Sequence, residues 1–232
     1  MPGPIGLMIW FLGTAFELTF VVCSLARKSF LRYLFLNLYV LLSTTVSIGR
    51  FLILFKYGGA ESDQYMYFYF YSDALLTLAL FFALISLYSH VLGELRAGEY
   101  VKWGAVFLLL GTAGFSYAVV AQSTQRLSTS FAYELSQNLY FVGLVLTYIL
   151  WGAVLKLRET RTRLVQIILS LGLYFSGYAA SYALMNFSGK YSLIQYLTPA
   201  LGCFLPLSWS LTMLRHSDES RLVPAQLVAV PR

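Results

Sequence analysis

MYFYFYSDALLTLALFFALISLYSHVL, residues 66–92, decides the fold. It is predominantly apolar and aromatic, with one acid, Asp73, inside it and His90 at its end. As a helix it is about 40 Å long, enough to cross a bilayer. Six further runs of this kind flank it, at 5–26, 33–55, 103–122, 136–157, 164–185 and 192–214. Residues 131–137, just before the fifth run, are ambiguous and fit one more turn of the same helix. The connections are short and polar: KYGGAESDQ (56–64, with Gly58-Gly59 as breaker), GELRAGEYVK (93–102), STQRLSTS (123–130), RETRTR (158–163) and NFSGK (186–190). The expected fold is all-α, a polytopic membrane protein with a single bundle of seven transmembrane helices. Residues 215–232 read as a short, disordered cytoplasmic tail.

Composition agrees. Of 232 residues, 59% are hydrophobic and 11% charged, where soluble domains carry about 25% charge. The charges cluster between the apolar runs, as a lipid solvent requires. The first six residues lack the basic region of a secretory signal, so the first run reads as a retained helix. Cys23 and Cys203 both fall inside apolar runs and read as small buried side chains, with no disulfide framework.

Lysine and arginine in the short loops set the expected orientation. One side carries twelve: Arg27, Lys28, Arg32, Arg96, Lys102, Lys156, Arg158, Arg161, Arg163, Arg215, Arg221 and Arg232. The other carries three, Lys56, Arg126 and Lys190. The bias places the N-terminus outside and the C-terminus in the cytoplasm. It also accounts for the net charge of +6 without an anionic partner, and no basic face with interleaved aromatics suggests nucleic acid.

Ionisable groups at membrane depth cost about 2.5–3.5 kcal/mol each on insertion scales, so each needs a reason. Arg50 and Asp73 lie at matching depth, very roughly 10 Å below the outer surface, on neighbouring segments. They are expected to pair across the bundle interior, either to fix helix register or as part of a ligand site. Around that depth lie Tyr67 and Tyr71, then Tyr174, Tyr178 and Tyr182 at spacing four, then Gln195 and Tyr196. The candidate ligand residues are Arg50, Asp73, Tyr71, Tyr178, Tyr182 and Gln195; the bland alternative is an interfacial aromatic belt. Tyr174 is too deep for that belt and is expected to bond across helices. Glu17, near the middle of the first run, has no cation at its depth. It is a candidate for a proton or ion path, or for a hydrogen bond to a neighbouring helix. His90 reads as an ordinary interfacial histidine.

Small residues at spacing four, Gly172, Ser176 and Ala180 and likewise Gly177 and Ser181, predict close helix packing. Pro199 and Pro206, seven apart, put kink sites on one face of the last run.

Several chemistries are disfavoured. A retinal Schiff base needs a lysine at depth, and segments three to seven have none there. Bundle haem needs paired axial ligands, while His90 and His216 both sit at edges. Ser176 has no membrane histidine to activate it, and HExxH is absent. No cofactor, metal site or catalytic constellation is expected, so the chain does not read as an enzyme.

The length is similar to that of small seven-helix sugar transporters built as three, one and three helices. Their Pro-Gln dipeptide is absent, and segments one to three show no clear repeat in five to seven. RKSFLRY (27–33) and YFYFYSDAL (67–75) more closely resemble the short basic first loop and aromatic third helix of uncharacterised bacterial seven-helix integral membrane proteins. That resemblance spans most of the chain and implies a cell-membrane protein, of the bacterial inner membrane, with no assigned activity. The expected function is a sensory or partner-binding membrane module without its own output domain. Its contacts would be the lipid bilayer and a membrane or cytoplasmic protein at Arg158, Arg161 and Arg163. The alternative is a small-solute or proton-coupled transporter using Glu17, Arg50 and Asp73.

Overall fold

The computed structural model describes residues 4–57, 59, 62–92, 98–121, 127–156, 161–188 and 191–216. Within these, the side chains of 4–5, 98–102, 127–129, 185–188 and 191–196 lie outside the described set. Seven helices result: α1 Pro4–Ala26, α2 Leu34–Lys56, α3 Asp63–Val91, α4 Gly98–Ala121, α5 Leu127–Lys156, α6 Thr162–Ser188 and α7 Tyr191–Arg215. All seven are long and apolar enough to cross a membrane. In lipid a backbone must satisfy its own polar groups, and unbroken apolar runs do so as helices.

The helix ends follow local chemistry. α3 starts three residues before its apolar run because Ser62 caps it: its Oγ accepts from the Tyr65 N–H at 3.3 Å. α1 stops where Lys28 turns left-handed at φ 53° and the Ser29 N–H bonds back to the Ser24 carbonyl at 3.0 Å. α5 begins at Leu127, so the ambiguous stretch 131–137 is helical. The polar loop expected at 123–130 is helical from Leu127 onward.

Neighbour relations close a ring in the order α1, α2, α3, α5, α6, α7 and back to α1. α4 stands outside it, packed on α5 and α3. The outer surface is studded with large apolar side chains, including Phe107, Leu110 and Phe115 on α4, as suits a lipid solvent.

One end of the ring is rich in arginine and tied by it. Arg27 donates to the carbonyls of Leu214 (2.5 Å) and His216 (3.2 Å). Arg163 donates to the same His216 carbonyl through Nε at 3.0 Å and also through Nη2. Arg161 donates to the carbonyl of His90 at 3.0 Å. These cations sit on the C-terminal carbonyls of α7 and α3, where helix dipoles favour them. The loop 158–163 is thus not simply an exposed basic patch. Arg163 is 2% exposed and, like Arg161, engaged within the bundle, while Arg158 lies outside the described residues. Behind this basic end the ring is solidly packed: Phe20, Leu84, Leu87, Leu164, Ile167, Trp209 and Met213 are all buried in one cluster.

The small-residue stripes of α6 face two partners. A Cβ at Gly172 would lie 2.4 Å from Trp151 of α5, and one at Gly177 would lie 2.5 Å from Leu201 of α7. Ala180, expected on the first stripe, faces outward instead. The tightest approach is on α5, where a Cβ at Gly143 would lie 2.3 Å from the buried Phe175 ring. Gly143→Leu should therefore cost about 3 kcal/mol or more by overpacking. Gly152→Ala, where an added Cβ meets nothing within 4 Å, should be neutral or better. Reversible unfolding in mixed micelles measures both; equal effects would mean that α5 and α6 are not in close contact.

Candidate functional site

The half of the ring away from the basic end encloses a cavity of about 750 Å³. It runs between the Gly6 and Tyr65 level and Glu17, and every ring helix contributes to its wall while α4 does not. The space exists partly because α1 and α7 present small residues there, Gly6, Gly13 and Gly202. A Cβ added at Gly202 would meet nothing within 4 Å.

Arg50 reaches from α2 to the first turns of α3. Its Nε donates to Ser72 Oγ at 2.9 Å and its Nη2 to the Tyr69 carbonyl at 3.2 Å. The guanidinium carbon lies 4.2 Å from the Tyr69 ring centre, a cation–π contact. Asp73 Oδ1 is 3.9 Å from Nη2, at the limit of an ion pair. The two side chains are 19% and 16% exposed, consistent with groups that border a cavity. The expected pairing is therefore present in loose form, with Ser72 and Tyr69 taking the direct hydrogen bonds. Ser136 Oγ of α5, buried and without a geometric hydrogen bond, lies in the neighbourhood of the Asp73 carboxylate.

Glu17 is 8% exposed and accepts from two hydroxyls of α2, Ser43 at 2.5 Å and Thr44 at 3.0 Å. Of its two sequence readings, the hydrogen bond to a neighbouring helix is realised, and the carboxyl also borders the cavity. Cys203 donates its thiol to the Ile9 carbonyl at 2.8 Å and holds α7 against α1 beside it.

The opposite wall is tyrosine. Tyr140 of α5 stacks on Tyr178 of α6 at 4.6 Å and 14°. Tyr174 lies 4.6 Å from the same ring, and the Tyr178 hydroxyl reaches the Thr198 carbonyl at 3.5 Å. Tyr182 does not line the cavity but supports it, 5.7 Å from Tyr140 and 5.6 Å from Tyr133. Trp10, stacked on Phe51 at 4.8 Å, closes the α1–α2 side.

Of the ligand candidates, Arg50, Asp73 and Tyr178 line this cavity, together with Glu17. Tyr71 does not: it is 49% exposed on the outer face of α3. Two residues along a helix is about 200°, so Tyr69, in register with Asp73, faces inward instead. The Gln195 side chain lies outside the described residues. Sequence reasoning missed Ser43, Tyr39, Tyr69, Ser72 and Tyr140. The Ser43-Thr44-Thr45 run was findable, because it lies about as far from the end of α2 as Glu17 does from the start of α1.

The molecule is thus an all-helical bundle compatible with an integral membrane protein, with charged and aromatic groups gathered around an internal cavity. Comparison with protein-family models, curated proteins and solved structures finds no match for the chain.

Proposed function

We propose that this protein sits in the cell membrane, that of a bacterium, with its basic end in the cytoplasm. There it binds a small molecule in the outer-half cavity and reports its presence to a partner protein. One observation carries the reading: a cavity of ligand size in one half of the ring, backed by a fully packed other half. α7 supplies the route for a signal. Thr198, Pro199, Gly202 and Cys203 border the cavity, and the far end of the same helix is gripped by Arg27 and Arg163. The partner surface is the basic end around the loop 158–163.

A second reading, a transporter, is favoured by Pro206. It lies on α7 between the cavity and the packed half, where a missing backbone hydrogen bond lets a helix bend. The two readings separate on purification from native membranes in mild detergent, followed by mass spectrometry and liposome assays. A stoichiometric companion with a soluble signalling or enzymatic domain is the expected result. A lone chain that catalyses solute flux, lost in Asp73→Asn, assigns transport instead.

A further inference from the structure

We propose that the ligand is an amphiphilic organic cation, an ammonium group on an aromatic or alkyl body, and that its charge pairs with Glu17. The inference rests on the cavity being a ligand site and adds the class of ligand.

Charge balance is the first argument. Among the described residues, the charged groups on the wall are Glu17, Asp73 and Arg50. Arg50 is already committed to α3, with Asp73 3.9 Å away, the Ser72 hydroxyl and the Tyr69 carbonyl on its nitrogens, and the Tyr69 ring against its face. Glu17 has no cation among the described residues. Its partners are the hydroxyls of Ser43 and Thr44, which hydrogen-bond a carboxylate without neutralising it. A buried carboxylate gains most from a partner of opposite charge. An anionic ligand would face two carboxylates and find the one guanidinium engaged.

The walls supply the second argument. Tyr69, Tyr140, Tyr174, Tyr178 and Trp10 border the cavity, and ring faces attract weakly hydrated cations. Tyr69 already holds the Arg50 guanidinium in this way. Leu7, Leu54, Leu76 and Leu80 add apolar surface that a sugar or other fully polar solute would leave unmatched. A bare metal ion would leave most of 750 Å³ unfilled, whereas an amphiphilic amine matches both the charge and the volume.

Three probes of closely similar size test this by isothermal titration on the purified full chain: 4-phenylbutylammonium, 4-phenylbutyrate and 4-phenylbutanol. The cation should bind at least tenfold more tightly than either of the others. Glu17→Gln should bring all three within about threefold of one another while alcohol binding persists. Gly202→Leu, which fills the cavity without touching a charge, should weaken the cation at least tenfold. If the butyrate or the alcohol binds wild type as well as the cation does, the cation assignment fails; the ligand site itself stands if Gly202→Leu weakens that binding. If no probe binds, or Gly202→Leu leaves every affinity unchanged, both the ligand site and its class fail. The wild-type comparison decides the cation assignment even if Glu17→Gln does not fold.

Discussion

Trp209→Ala is expected to cost about 3 kcal/mol, the low end for removing a buried tryptophan. Trp209 is 0% exposed and forms the heart of the packed half, with Phe20 at 5.7 Å and Tyr39 at 6.0 Å. In a bilayer the transfer part of that cost is small, because lipid is as apolar as a protein core. What remains is lost dispersion contact around the hole. Trp209→Phe should cost less than half as much, since the buried indole Nε1 has no hydrogen-bond partner among the described residues to lose. Unfolding by sodium dodecyl sulfate titration in mixed micelles measures both. Equal costs for the two variants would show that the indole is not tightly held, and the plug below the cavity would lose its support.

Arg50→Met should cost about 3 kcal/mol by leaving Asp73 without its cation. Asp73→Asn in the Arg50→Met background should recover most of that loss, because the uncompensated charge then disappears. The full exchange, Arg50→Asp with Asp73→Arg, should fold better than Arg50→Met alone but short of wild type, because the Arg50 contacts to Ser72 and Tyr69 are lost. If the exchanged protein folds but no longer binds, the pair serves the ligand site as well as helix register. An Arg50→Met protein within about 0.5 kcal/mol of wild type would mean that cavity water already solvates both charges.

The parts of this molecule that were readable from sequence were those fixed by one-dimensional facts. Seven apolar runs separated by short charged loops specify seven helices, because a continuous apolar run of about twenty residues satisfies its own backbone polar groups as a helix. Matching depth on adjacent segments was enough to bring Arg50 to Asp73. Rotation about each helix axis was not readable. A run such as YFYFY at 67–71 is apolar on every side, so nothing in it distinguishes the inward Tyr69 from the outward Tyr71. The place of α4 outside the ring was hidden for the same reason. Its span is apolar apart from Thr112 and Ser116, both buried, and two hydroxyls four residues apart were the one sign of the narrow face that α5 and α3 cover. Arg163 was misleading in a different way. In the loop it reads as a topology marker, yet its side chain bonds the carbonyl of His216, just past the end of α7.

The central claim is that Glu17, Arg50 and Asp73 border one cavity reached from the end of the ring opposite the arginines. The most direct measurement is cysteine accessibility in proteoliposomes, on a background of Cys23→Ala and Cys203→Ala. Single cysteines at Ser47 and Gly202, both on the cavity wall, should react quickly with a charged, membrane-impermeant methanethiosulfonate added on that side. Cysteines at Val22 and Phe107, which face outward from the bundle, should not. Ser47→Cys and Gly202→Cys proteins as unreactive as the outward-facing pair, or reactive only from the basic side, would contradict the account.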